Sequence, residues 1–261
     1  MTEPLTYADL NLVPDRRHTV GTLSYTTPDL SVLFAWLILN SLCLVLLAQA
    51  FSAYEMSYRV SLMDRKISPQ DTPLINNIAR FLGFLIGPLI STWSDRQRTR
   101  FGRRRPILMG AMLLSALTLC VLPCIPDLYR YFLEDASLTP LLELLPGNGE
   151  VWFVNAANSI HLLIYSTTVS LSYYYCWDVV PANFQGRFQA LSGFLPGLFL
   201  WGWIYCNYRF ELWMNYPTAL VVGASLICPA LYLLSLWQVK EGKYPAPEPY
   251  QGKVFNPIGR Y

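Results

Sequence analysis

Charge is what this sequence has least of. Only 14% of its residues are Asp, Glu, Lys or Arg, where a soluble domain carries about 25%, so an ordinary water-soluble globule is excluded. The charges nearly cancel, 19 Lys and Arg against 17 Asp and Glu, and this balance lacks the basic excess that nucleic-acid binding demands. Histidine is scarce: His18 and His161 stand too far apart to share a metal. Cys43, Cys120, Cys124, Cys176, Cys206 and Cys228 fall almost entirely in apolar stretches without CxxC or Cys/His spacing, so they read as small buried hydrophobes. No P-loop, GxGxxG, HExxH or GxSxG string occurs, so neither an enzyme nor a bound metal or organic cofactor is expected. The first thirty residues are polar and lack the apolar core of a cleaved secretory signal.

What the chain has instead is long apolar runs. A helix crosses a bilayer with about 20 mostly apolar residues, and six stretches meet that length: about 31–54, 73–93, 106–125, 151–176, 189–208 and 217–237. Lipid offers no partner for unpaired backbone groups, so stretches of this length span as helices. The expectation is an all-α membrane protein: a polar tail over 1–30, a six-helix bundle over 31–237, and a Pro- and Lys-rich linker or tail over 238–261.

Basic residues orient the bundle. Assigned alternately to two sides, the loops place Arg16, Arg17, Arg96, Arg98, Arg100, Arg103, Arg104, Arg105, Arg187, Lys240, Lys243, Lys253 and Arg260 on one side. The other side holds Arg59, Arg65, Lys66, Arg130 and Arg209. Both termini are therefore expected in the cytoplasm, with the chain integral to a cytoplasmic or inner membrane.

Between the second and third runs stands Ser94-Asp95-Arg96-Gln97-Arg98-Thr99-Arg100-Phe101-Gly102-Arg103-Arg104-Arg105-Pro106. A topology signal alone accounts for the arginines. It does not account for Asp95 at a helix end, the turn at Gly102, or Pro106 in the first turn of the next helix, where its missing N–H costs nothing. The string resembles the loop between helices two and three of the major facilitator superfamily. More narrowly, it is similar to the form in the glycoside, pentoside and hexuronide cation symporters and the related sucrose-type proton symporters. Gly21 to Tyr25, Asp178-Val179-Val180-Pro181 with Gly186-Arg187, and Val239 to Pro245 resemble stretches of the same branch.

That resemblance implies an alternating-access transporter of a small polar solute such as a sugar, with the site at midplane between two six-helix halves. This chain matches only the N-terminal half, so a missing C-terminal half or a second copy is the expected partner besides the lipid bilayer. The resemblance assigns gating to Asp95, Arg96, Arg98, Arg100, Gly102 and the Arg103 to Arg105 cluster. Asp178 and Arg187 are the natural partners within this half, although Asp178 also reads as a plain helix-end acid. Melibiose-type sodium-coupled members carry cation-binding aspartates where this chain has Gly83 and Gly87. The sodium site is therefore expected to be absent, which leaves a coupling proton, facilitated diffusion or loss of transport.

Two polar stripes lie inside the runs. Asn76, Arg80, Gly83, Gly87 and Ser91 share one face of the second span by helical spacing. Arg80 there either contacts the solute or snorkels to the interface. Asn158, His161, Tyr165, Thr168 and Ser172 share a face of the fourth. Their donors and acceptors suit a polyhydroxylated solute, and His161 alone among intramembrane groups titrates near neutrality when unperturbed. The same residues also suit interhelical packing. Glu55 reads as a coupling acid or an exposed helix terminus, and Trp201 and Trp203 as sugar-stacking or belt residues. A different class of function is a non-transporting membrane scaffold derived from such a carrier.

Overall fold

In the computed structural model, residues 17–20, 22–64, 72–96, 102–134, 149–211 and 215–242 are described. A short antiparallel hairpin, β1 (His18–Val20) and β2 (Leu23–Tyr25), precedes the helices and pairs His18 with Tyr25 and Val20 with Leu23. The helices are α1 (Thr27–Asp64), α2 (Thr72–Arg96), α3 (Arg105–Val121), α4 (Ile125–Glu134), α5 (Gly149–Val179), α6 (Ala182–Phe210) and α7 (Pro217–Gln238).

Local chemistry sets several boundaries. Thr26 precedes α1 and donates its N–H and hydroxyl to Asp29 Oδ2 at 3.0 and 2.7 Å, a side chain reaching back to satisfy the open end of a helix. α3 begins at Arg105-Pro106, with proline in the first turn. Pro123 lies in a tight turn over Leu122–Cys124 that separates α3 from α4. α6 ends on Glu211 in the left-handed region at φ 50°.

α1 packs along α7, α3 along α5 and α7, and α2 along α5; α6 leans on α1. The core is apolar, built on Leu37, Leu47 and Leu62 of α1, Leu108, Met112 and Leu119 of α3, Leu171 of α5 and Leu236 of α7. Outward faces are apolar too: Phe81, Leu85, Leu89 and Trp93 on α2, and Leu191, Phe194, Leu198 and Trp201 on α6, are all exposed. Water disfavours such surfaces and lipid accepts them.

Among the described residues, three elements are long and apolar enough to cross a membrane: Thr27–Asp64, Arg105–Tyr131 across the α3–α4 turn, and Pro217–Gln238. α2, α5 and α6 cover the other three apolar stretches at 25, 31 and 29 residues, but they are more polar. α5 carries its hydroxyls at low cost, because Ser166, Thr167, Thr168, Ser170 and Ser172 each donate to a carbonyl three or four residues back.

Two departures from the sequence reading follow. The tail over 1–30 carries the hairpin. The segment read as the start of a linker at 238 is packed into the bundle as far as Gly242, with Val239 only 3% exposed and the Glu241 side chain fully covered.

α2 approaches α5 at two glycines. A Cβ on Gly83 would overlap the Ser166 side chain, and one on Gly87 would stand 2.9 Å from Ser170 Oγ. Small residues allow this spacing between backbones.

Candidate functional site

At the hairpin end of the bundle, the charged loop and the ends of four helices converge. Asp95 in the last turn of α2 accepts from Arg104 Nη2 at 2.7 Å and Nε at 3.2 Å. Asp178 in the last turn of α5 accepts from Arg103 Nη2 at 2.5 Å and lies 3.2 Å from Arg104 Nε. Arg103 also reaches Asp95 at 3.5 Å and Glu241 at 3.9 Å. Two arginines and three carboxylates therefore tie α2, the start of α3, the end of α5 and the end of α7 into one knot.

Glu241 does something further. Its carboxylate accepts the backbone N–H groups of Arg103 at 2.9 Å, Arg104 at 3.1 Å and Arg105 at 3.4 Å. These are open donors at the start of α3, where the helix dipole favours an anion. Gly102, at φ 113°, leaves the space this carboxylate occupies. Burial pushes the Glu241 pKa up, outweighing the three N–H groups that pull it down, while the negative charge of Asp178 adds to the rise. For Arg103, burial works against the charge, but the Asp178 bond and the nearby Asp95 and Glu241 carboxylates prevail and raise its pKa. The guanidinium stays charged.

Of the expected gating residues, Asp95, Gly102, Arg103, Arg104, Arg105 and Asp178 meet in this cluster; Arg105 adds a bond from Nη2 to the Trp237 carbonyl at 3.4 Å. Arg187 lies over the Phe184 ring at 5.3 Å. Arg98 and Arg100, with the side chains of Asn76, Arg80, Ser91 and Arg96, lie outside the described residues. Glu241 was not singled out by the sequence, although it lies within the stretch after the last span that resembles the transporter branch.

Deeper in the bundle, α1, α5, α6 and α7 enclose a cavity of about 230 Å³. Its polar wall includes Asn40, Ser41, Tyr165, Ser172, Gln189 and Ser192. Several of these groups are already tethered: Tyr165 donates to the Leu44 carbonyl at 2.9 Å, Ser172 and Tyr232 share a short hydrogen bond, and Gln189 Nε2 donates to Tyr173 Oη at 3.1 Å. Asn40 is different. It is 4% exposed, and its Oδ1 has no partner among the described residues. Among the described residues, no Asp, Glu, Lys, Arg or His lines this cavity.

The fourth-span stripe therefore divides. Tyr165 and Ser172 reach the cavity, whereas Asn158 and His161 do not line it. His161 is 1% exposed, 5.0 Å from the Phe51 ring and 6.2 Å from the Tyr165 ring. Its Nδ1 lies 2.9 Å from Thr118 Oγ1, which is also 2.9 Å from the Ser115 carbonyl, so the direction of the Nδ1 bond is set by the imidazole tautomer. Asn158 is fully buried, with no partner for its amide among the described residues, and Thr168 donates to its own helix. Glu55 pairs with Arg59 at 2.7 Å. Trp201 is 76% exposed.

No protein-family model matches the chain, and no solved structure matches it. The chain is similar to proton-associated sugar transporter A of Mus musculus and of Rattus norvegicus, in each case 36% identical over 89 residues, which is 32% of this chain and 12% of the relative. It is 50% identical to the protein of that name from Homo sapiens over 46 residues, 16% of this chain and 6% of the relative. The aligned part is thus a small fraction of these relatives' length.

Proposed function

We propose that this chain forms the N-terminal six-helix unit of a major facilitator-type sugar transporter that works by alternating access. The observation that carries this reading is the ionic knot that Glu241, Asp95 and Asp178 make with Arg103 and Arg104. It joins the ends of separate helices through charged contacts, which separate and re-form as units, unlike an interlocked apolar core that must be taken apart side chain by side chain. Closed, the knot bars the hairpin end, and the basic-residue count supports reading that end as the cytoplasmic one. Open, it frees the start of α3 and the end of α7 from Asp95 and Asp178 at this end of the bundle.

The uncharged, hydroxyl- and amide-lined cavity supports a polyol as cargo, and the relatives named as sugar transporters support the same class. Gly83 and Gly87, committed to contact with Ser166 and Ser170, support a carrier without a melibiose-type sodium site. The coupling proton is assigned to His161. The second wall of the pathway is a C-terminal half or a second copy, facing the cavity where Val169 and Tyr173 are exposed.

The test is uptake of labelled mono- and disaccharides into proteoliposomes holding the full-length protein, with and without an inward proton gradient. Saturable uptake that Arg103→Ala abolishes supports the reading. Absence of uptake of every sugar, from protein that is folded and correctly inserted, overturns it in favour of a scaffold.

A further inference from the structure

A second cavity, of about 520 Å³, lies where the hairpin, the first turns of α1 and the end of α7 meet. Its wall has two characters. Val32, Leu33 and Trp36 supply an apolar side, and Val32 is 58% exposed on the outer face of an apolar helix. Asp29, Lys240 and Tyr25 supply a polar side carrying one charge of each sign.

Each of these polar groups has capacity to spare. Asp29 receives both Thr26 bonds on Oδ2, which leaves Oδ1 without a protein partner among the described residues. Lys240 is exposed and has no carboxylate partner there. The Tyr25 hydroxyl is covered from solvent yet has no hydrogen-bond partner among the described residues. Burial raises its pKa, so it remains a protonated hydroxyl, able to donate or accept.

We propose that this cavity is a headgroup site for an aminophospholipid, with the phosphate at Lys240, the primary ammonium at Asp29, and the glycerol and acyl chains leaving past Val32 and Trp36. Opposite charges on one wall match a zwitterion and penalise a ligand of one sign. A carboxylate and a hydroxyl as acceptors select an ammonium that has N–H groups over a trimethylated one, which has none to donate. Trp36 sits less than three turns into α1, at the depth where tryptophan belts meet headgroups. The wall is held in place by the Ser235 hydroxyl, which donates to the Trp36 carbonyl at 2.8 Å and ties α7 to α1 beside the cavity. The site requires only that the chain lies in a bilayer, so it stands apart from the transport reading.

The experiment measures retention of phosphatidylethanolamine, phosphatidylcholine and phosphatidylglycerol by the full-length protein, using native mass spectrometry from mixed nanodiscs. Glycerophosphoethanolamine serves as the water-soluble control. The expected result is retention of phosphatidylethanolamine over phosphatidylcholine by about tenfold. Tyr25→Phe and Asp29→Asn should each shrink that preference several-fold, while Lys240→Gln weakens both phosphatidylethanolamine and phosphatidylglycerol. Tyr25→Phe removes no hydrogen bond to any described residue, so its melting temperature should match wild type, and a match separates lost lipid preference from a folding defect. Equal retention of the three lipids, or a preference that Tyr25→Phe and Asp29→Asn leave intact, overturns the proposal. So does glycerophosphoethanolamine binding as tightly as the diacyl lipid, which would make the site one for soluble zwitterions.

Discussion

The Glu241 carboxylate sits where a side chain on Gly102 would be: a Cβ there would run into Glu241 Oε2 and stand 3.0 Å from Cδ. The two residues meet because Gly102 adopts φ 113°, a conformation that L side chains rarely take. Gly102→Ala therefore carries two penalties, backbone strain and eviction of the carboxylate from the start of α3. The expected outcome is a loss of about 1–3 kcal/mol and labelling of a cysteine placed at Val239, which is 3% exposed in the wild type, by a membrane-impermeant thiol reagent. Wild-type resistance to unfolding in the variant would show that the glycine is dispensable.

Glu241 also confers a pH dependence with a definite sign. Its pKa in the folded chain is raised above the ordinary carboxylate value, so the folded state binds the proton more tightly than the unfolded one. Its contribution to stability is then fully present below the ordinary value and is lost as pH rises through the raised one. The difference in melting temperature between wild type and Glu241→Gln, followed from neutral pH downward, should move in favour of wild type within that window. A difference that is flat with pH would place the carboxylate in contact with water.

Arg103 and Asp178 are partly buried partners, with side chains 16% and 15% exposed. Removing Asp178 leaves Arg103 with the more distant Asp95 and Glu241, and removing Arg103 leaves Asp178 with Arg104, so each loss costs about 1.5–3 kcal/mol, the range of a hydrogen bond to a charged group. Arg103→Ala and Asp178→Asn should each destabilise the hairpin end, and the double variant should lose much less than the sum of the two. Additive losses in that cycle would show that the pair is not coupled.

The α2–α5 contact predicts a size limit. Gly83→Ala should cost about 1–3 kcal/mol through overpacking against Ser166, and Ser166→Gly in the same chain should restore most of it. Thermal denaturation in detergent reads both. Failure of the second substitution to rescue the first would mean that the helices part at this point.

In the cavity, Asn40 makes its test at small structural cost. Because Oδ1 has no partner among the described residues, Asn40→Leu should leave the melting temperature unchanged or higher. It should weaken saturable sugar uptake about tenfold, the effect of losing one hydrogen bond to the solute. His161→Ala, by contrast, should leave sugar affinity near wild type and abolish the dependence of uptake on pH. Unchanged pH dependence would remove His161 from the coupling role.

The sequence by itself determined that the chain is helical and apolar, because uninterrupted runs of Leu, Val, Ile, Ala and Phe leave the backbone no partners but its own. It also singled out one charged loop: Asp95, Gly102 and the arginine triplet are local, and their spacing is legible without a fold. Tertiary structure decided who meets whom. Glu241 reaches the start of α3 from 138 residues away, a pairing that no periodicity encodes, because it depends on α7 ending beside α3. The stripe from Asn158 to Ser172 looks uniform on a helical wheel, yet α5 has α3 beside it at His161 and α7 beside it at Ser172, so one face serves two environments. A helix face is a property of sequence, and what fills the space opposite it is a property of packing.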